Sequence, residues 1–225
     1  MRKSLLIVSV AVFGLSFGGG EQAVSTFTDK RDGKVYRIVE IGGAVWMAEN
    51  LNYDAEGSVC YENSADSCAK YGRLYDWAAA LKACPAGTHL PDDDEWTTLV
   101  NYAGMIPLPP TLSEISDDEW TALMKKYAGG EKNAGKKLKS KAGWNNNGNG
   151  TDDYGWSALP GGSGRSDGSF NYAGDDGCWW SATEGGATNA WYRNMTCYFE
   201  SVYRYSNNKT YLYSVRCVAD KEAQK

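Results

Sequence analysis

The sequence predicts an α+β domain, and three observations carry that expectation. Apolar residues recur at helical spacing through the first half of the chain. Short strand-like runs stand toward both ends, and long Gly- and Asn-rich connections separate the later ones. With 225 residues, 42% hydrophobic and 23% charged, the chain has the size and composition of one folded domain, not of a disordered tail or a membrane bundle. The expected architecture is loop-rich, with short strands, two to three helices and the two termini meeting in one sheet.

The elements follow in chain order. Met1-Arg2-Lys3, the apolar run Leu5 to Phe17 and Gly18-Gly19-Gly20 read as a signal peptide over 1–20, cleaved between Gly18 and Ser25. The run is too short to span a membrane, and the first cysteine, Cys60, lies too far on to carry a lipoprotein lipid. Residues 21–26 then form a short linker. Val35 to Ile41 and Ala44 to Ala48 flank Gly42-Gly43, the pattern of a hairpin with a two-residue turn. Leu51 to Tyr71 is polar and reads as a loop. Arg73 to Ala83 places Leu74, Trp77, Ala78 and Leu81 at helical spacing and stops at Cys84-Pro85. Asp92 and Glu95 hold the positions of a capping box at the next helix start.

That helix has a near copy. Asp93-Asp94-Glu95-Trp96-Thr97-Thr98-Leu99 recurs as Asp117-Asp118-Glu119-Trp120-Thr121-Ala122-Leu123, with Ser116 and Glu119 as a second capping box. The Pro-rich stretch Met105 to Pro110 lies between the copies. Beyond Gly135, Trp144 to Tyr154 and Gly161 to Gly168 read as loops. Trp179 to Ala182, Ala190 to Phe199 and Tyr211 to Val218 read as strands, with Asn207-Asn208 turning the last hairpin.

Composition excludes several functions. A net charge of −5 argues against binding nucleic acid, which needs a basic surface. One histidine, His89, leaves little room for triad or metal-hydrolase chemistry. Carboxylate pairs such as Asp175-Asp176 sit at helix starts or in loops. Gly161-Gly162-Ser163-Gly164 lacks the Lys-Ser/Thr of a phosphate loop. An exported chain forms disulfides by default, so Cys60, Cys68, Cys84, Cys178, Cys197 and Cys217 read as structural, with 15 connectivities open. Cys60 and Cys68 are close enough to close a local loop.

Two segments offer binding chemistry. Asn145, Asn147, Asn149, Asp152 and Asp153 put side-chain oxygens around Gly148 and Gly150, as a calcium loop does. Asn and Asp also build turns on their own backbone, and that reading is preferred. The aromatic signal is stronger, with ten aromatics in the forty residues from Cys178 to Cys217. Trp179, Trp180 and Trp191 are expected in the core. In an extended segment Phe199, Ser201, Tyr203 and Tyr205 share one face, opposite Val202 and Arg204, and that face resembles a paratope. The candidate ligand-binding residues are Trp191, Tyr198, Phe199, Ser201, Tyr203, Tyr205 and Tyr211.

Several blocks carry a family resemblance. Trp46-Met47-Ala48-Glu49-Asn50-Leu51, Tyr71-Gly72-Arg73-Leu74-Tyr75, His89-Leu90-Pro91, Gly155-Trp156-Ser157-Ala158-Leu159-Pro160-Gly161-Gly162, Trp179-Trp180-Ser181-Ala182-Thr183 and Ser214-Val215-Arg216-Cys217-Val218 stand in the order found in the Fibrobacter succinogenes major paralogous domain family. The resemblance covers 27–220, interrupted by the duplicated helix at about 97–120, and leaves 221–225 as a polar tail. It implies a single C-type-lectin-like domain, similar to sulfatase-modifying factors and formylglycine-generating enzymes, at the cell surface or outside the cell. The lectin-like habit of tying the first helix to the last strand implies Cys84–Cys217, which with Cys60–Cys68 leaves Cys178–Cys197.

The resulting expectation is an exported, non-catalytic recognition domain for a glycan or protein ligand, without cofactor unless calcium, and without a membrane span in the mature chain. Two alternatives stand beside it. One is an enzyme of the formylglycine-generating type or a glycan hydrolase, although Cys178 and Cys197 do not match that enzyme's cysteine motif. The other is a structural or adhesion component of the envelope. Its C-terminal stretch resembles retroelement-diversified proteins of this fold, because Thr196, Cys197, Tyr198, Phe199, Ser201, Tyr203 and Tyr205 are largely what Asn codons become when their adenines change; ordinary drift on an exposed strand explains the same pattern and is the preferred reading.

Overall fold

The computed structural model describes residues 25–105 and 130–221. The segment expected to be a signal peptide, the expected second helix copy with Ser116 and Glu119, and all but the first residue of the polar tail lie outside the described residues. Two sheets and four α-helices make up what is described. The mixed α+β class is as the sequence predicts. The helix count exceeds the expected two to three, because two of the four escaped the apolar periodicity.

The first sheet joins the two ends of the described chain. β1 (Thr26–Thr28), β2 (Val35–Ile41) and β3 (Ala44–Met47) run antiparallel, and Ile41 pairs with Ala44 across the turn. Gly42 and Gly43 both take positive φ, +64° and +78°, which a hairpin turn twisting with its strands requires. The last strand, β13 (Val218–Ala219), inserts between β3 and β6 (Thr88–His89).

Between them lie short, clipped elements. The expected loop from Leu51 to Tyr71 contains β4 (Ser58–Val59), a single 3-10 turn and helix α1 (Ala65–Tyr71), tied back by Cys60–Cys68. The helix expected over Arg73 to Ala83 begins later. Leu74–Tyr75 form β5, Asp76 caps the next turn by accepting from the Ala79 N–H at 2.8 Å, and α2 spans Trp77–Ala83. Trp77, Ala80 and Ala83 face the core while Leu81 is 43% exposed, so its buried stripe is not the expected one. α3 (Asp93–Gly104) starts with both halves of the Asp92/Glu95 capping box formed. α4 (Gly130–Leu138) packs against it.

The second sheet follows the order β11 (Tyr203–Asn208), β10 (Asn189–Thr196), β9 (Asp176–Glu184), β12 (Tyr213–Ser214), β5, β4. Gly161–Gly164, expected in a loop, is a buried strand, β7, which pairs with β9 and with β8 (Phe170–Ala173). A Cβ at Gly162 would stand 2.5 Å from the Asn171 carbonyl oxygen, so glycine here permits a close strand approach instead of a phosphate cradle. Tyr211 to Val218 is two strands separated by Val215–Cys217. Asn207 and Asn208 end β11, and the chain turns after them.

Tryptophan dominates the core. Trp46, Trp96, Trp156 and Trp179 form a chain of ring contacts with centroids 5.2–5.8 Å apart, each ring almost fully buried. Arg216 lies 3.8 Å over the Trp156 ring, its Nε donating to the Asn50 Oδ1 at 3.0 Å and its remaining nitrogens to the carbonyls of Trp156 and Ser157. Burial pulls the Arg216 pKa down to about 9. Asn50 Oδ1 also accepts from the Trp179 indole at 2.8 Å, so one amide ties the third strand's end to β9 and to the last crossing.

Cys84–Cys217 forms as the resemblance implies, but Cys178 and Cys197 are free and buried. The reason is strand parity. Cys178 pairs in register with Asn194, so Cys197, three residues past Asn194, emerges on the opposite face. Cys178 packs with Trp180 and Tyr213, whereas Cys197 packs with Met195 and Trp144.

Candidate functional site: an aromatic cleft at the end of the second sheet

The register of β9, β10 and β11 sorts their side chains onto two faces. Trp180, Tyr192 and Tyr205 form one cross-strand row, Cys178, Asn194 and Tyr203 the next, and Asp176 with Thr196 the last. Trp180 and Cys178 lie in the core. Toward β11 and the ends of β9 and β10 the same face leaves the core and opens to solvent.

There it lines a cleft of about 420 Å³. Five aromatics, Tyr172, Tyr198, Phe199, Tyr203 and Tyr205, supply its walls. Four of them are 47–65% exposed. Tyr203 and Tyr205 stack with centroids 5.8 Å apart and planes 13° apart, and Phe199 meets Tyr203 edge-on at 6.1 Å. Tyr172 holds φ at +67°, a conformation unfavourable for a bulky residue, and the turn is closed by the Asp175 N–H donating to the Tyr172 carbonyl at 3.0 Å.

Polar groups line the rest: Asp175, Asp176, Asn194 and Thr196. Burial pushes the Asp176 carboxyl above its ordinary range, against hydrogen bonds from Thr196 and Asn194, and the neighbouring Asp175 pushes it the same way. Among the described residues neither aspartate has an ion-pair partner, and no Lys or Arg lines the cleft.

The loop carrying Tyr198 and Phe199 is fixed from behind. The buried Lys139 ammonium donates to the carbonyls of Thr196 at 3.1 Å and Phe199 at 3.0 Å. Desolvation lowers its pKa. A Cβ at Gly135 of α4 would stand 2.6 Å from the Ser201 carbonyl oxygen, so the helix lies directly on the loop. The Asn-rich segment closes the other side. Asn145 donates to Asp175 at 3.1 Å, Asn146 to the Cys197 sulfur at 3.4 Å, and Gly148 packs on the Cys197 backbone.

Within the Asn-rich segment, several side chains are engaged in turns. Asn149 Oδ1 accepts from the Trp144 N–H, Asp152 accepts from the Ser157 N–H and hydroxyl, and Asn147 and Asp152 take positive φ. The Asn149 and Asp152 oxygens are thereby used within the turn. Among the described residues no group of three or more His, Cys, Asp or Glu side chains is placed to hold a metal ion.

Of the seven expected ligand-binding residues, the structure gathers four: Tyr198, Phe199, Tyr203 and Tyr205. Trp191 lies on the other face of β10, beneath Arg204 at 3.4 Å, neither in the cleft nor in the core where it was expected. Ser201 turns its hydroxyl to the Lys132 carbonyl, because the chain becomes extended only at Tyr203 and alternation does not reach back to it. Tyr211 packs against Tyr213 and sits under Arg165. Sequence reasoning missed Tyr172, Asn194, Thr196 and the carboxylates. Asp175-Asp176 was visible as a pair, but only the register places it beside the tyrosines.

His89 lies on the other sheet, held between Asp220 (2.6 Å) and Glu95 (3.0 Å). Its two ring nitrogens are both occupied by carboxylates.

The model of the Fibrobacter succinogenes major domain matches residues 39–219. The chain belongs to that family. The matched span holds every cleft residue named above, the Trp core and both disulfides. Among curated proteins and among solved structures, none matches the chain. Membership in the Fibrobacter succinogenes major domain family therefore names the lineage, and any activity has to be argued from the cleft. No helix among the described residues is long and apolar enough to cross a membrane.

Proposed function

We propose that this chain is an exported, non-catalytic recognition domain of lectin-like architecture that binds a glycan or protein ligand in the cleft of β9–β11. The observation that carries this reading is the exposure of the aromatic group. Tyr198, Phe199 and Tyr205 are each about half or more exposed, on a chain whose nine Trp include a fully buried core set. Large amphipathic rings held in a fixed geometry give contact area at low entropic cost. The rear clamp of Lys139, α4 and the Asn-rich loop holds that geometry before a ligand arrives. Two disulfides suit an oxidising compartment outside the cytoplasm.

The test is binding by the purified, disulfide-intact chain to glycan and protein arrays, repeated with Tyr203→Ala and Phe199→Ala. Ligands captured by the native chain and lost by both variants support the reading. Capture that both variants retain overturns it.

A further inference from the structure

Resting on that reading, we infer that the cleft takes a lysine or arginine side chain presented by an extended segment of a protein partner. Two features of the site select this occupant. The first is charge. Asp175 and Asp176 stand in the cleft without a cation among the described residues, and the walls are tyrosine and phenylalanine rings. Ring faces carry the negative end of the aromatic quadrupole and attract ammonium or guanidinium groups. A carboxylate at the base of such a cage adds a charge-assisted hydrogen bond. The nearby cations are committed elsewhere: Arg204 pairs with Asp93 on the far face, and Lys139 is spent on backbone carbonyls.

The second feature is the sheet edge. β11 is the terminal strand of its sheet, and among the described residues no strand pairs with its outer side. It contributes Tyr203 and Tyr205 to the cleft and runs for six residues. An extended peptide can add to such an edge through its backbone while alternate side chains reach one face. A basic side chain on the cleft-facing side of that peptide enters between the stacked tyrosines and the carboxylates. A neutral sugar would use the rings but leave both carboxylates without the counter-charge that the site lacks.

The experiment uses the intact chain and short labelled peptides carrying one central lysine or arginine. Each peptide is paired with a counterpart holding norleucine or citrulline at that position, and fluorescence polarisation reads binding. The expected result is capture of cationic peptides, with neutral counterparts at least about tenfold weaker. Asp175→Asn with Asp176→Asn is expected to remove the same tenfold preference while circular dichroism stays native. N-methylation of the peptide backbone is expected to weaken binding as well. Equal binding of cationic and neutral peptides overturns the inference. So does equal binding of free lysine amide and the peptides, which removes the extended segment. Should no peptide bind while an arrayed glycan binds and is lost in Tyr203→Ala, this inference falls and the cleft reading stands. Binding of any probe that is insensitive to Tyr203→Ala removes both.

Discussion

The Lys139 ammonium donates to the Phe199 carbonyl at 3.0 Å, reaching from just past the end of α4 to the loop that shapes the cleft. A buried amine thereby holds the backbone from which two ligand-facing rings project. Lys139→Met keeps the aliphatic stem but leaves the Thr196 and Phe199 carbonyls without their donor. The expected cost is about 2 kcal/mol in urea unfolding, with ligand affinity reduced although no cleft side chain is changed. Unaltered stability would show that water replaces the ammonium without loss.

The exposed rings should behave in the opposite way. Tyr198→Ala and Phe199→Ala are expected to change stability by no more than about 0.5 kcal/mol, because these side chains are 65% and 58% exposed. Ligand affinity is expected to fall at least about tenfold for one of them. Parallel urea melts and binding isotherms separate the two effects.

The two disulfides close loops of very different length, 8 and 133 residues. Loop-closure entropy predicts about 2.5 kcal/mol for Cys60–Cys68 and about 5 kcal/mol for Cys84–Cys217. Paired Cys→Ala variants are expected to rank in that order by thermal melting. Peptide mapping should find Cys178 and Cys197 as thiols. Burial pushes the Cys178 thiol up to about 12, so alkylation of it should require denaturant.

Arg216→Lys tests the polar centre of the core. Lysine retains the charge but cannot reproduce the fork that serves Asn50, Trp156 and Ser157 together. A loss of at least about 2 kcal/mol is expected in chemical unfolding. A smaller loss would mean that the fork geometry matters less than the charge.

His89 gives the pH dependence a definite sign. Burial lowers its pKa, but hydrogen bonds and charge from Asp220 and Glu95 outweigh this and raise it above the ordinary 6.5. A raised folded-state pKa contributes stability that is full below the unfolded value and is lost as pH rises through the folded value. The melting-temperature gap between the native chain and His89→Gln is therefore expected to be larger near about pH 5.5 than near about pH 8. Its partial exposure keeps the effect modest. An equal gap at both pH values would remove the ion-pair account.

How legible the molecule was in its sequence follows from the range of the forces involved. The Gly42-Gly43 hairpin, the Asp92/Glu95 capping box and strands β9 and β10 were readable because neighbouring residues determine them. β7 was not, since Gly161–Gly164 forms a strand only through the partners that press on it. α1 and α4 hold few apolar residues, α4 only Ala134 and Leu138 on its buried face, and they are held by the Cys60–Cys68 clip and by packing on α3 respectively. The aromatic half of the cleft was visible as composition. Its acidic half was not, because Asp176 and Tyr203 come together only through strand register, and the same register separates Cys178 from Cys197.

The position of β13 has a consequence for how the molecule is made. Val218 pairs with Trp46 on one side and His89 on the other, so the first sheet is split until the chain has been synthesised through residue 219. Cys217 likewise reaches back across 133 residues for its partner. Such pairings form late and slowly, because distant segments must meet before any contact rewards them. Without Val218–Ala219 the pairings of β13 with β3 and with β6 are both lost, so the three-stranded β1–β2–β3 hairpin unit and the lone strand β6 have no strand between them.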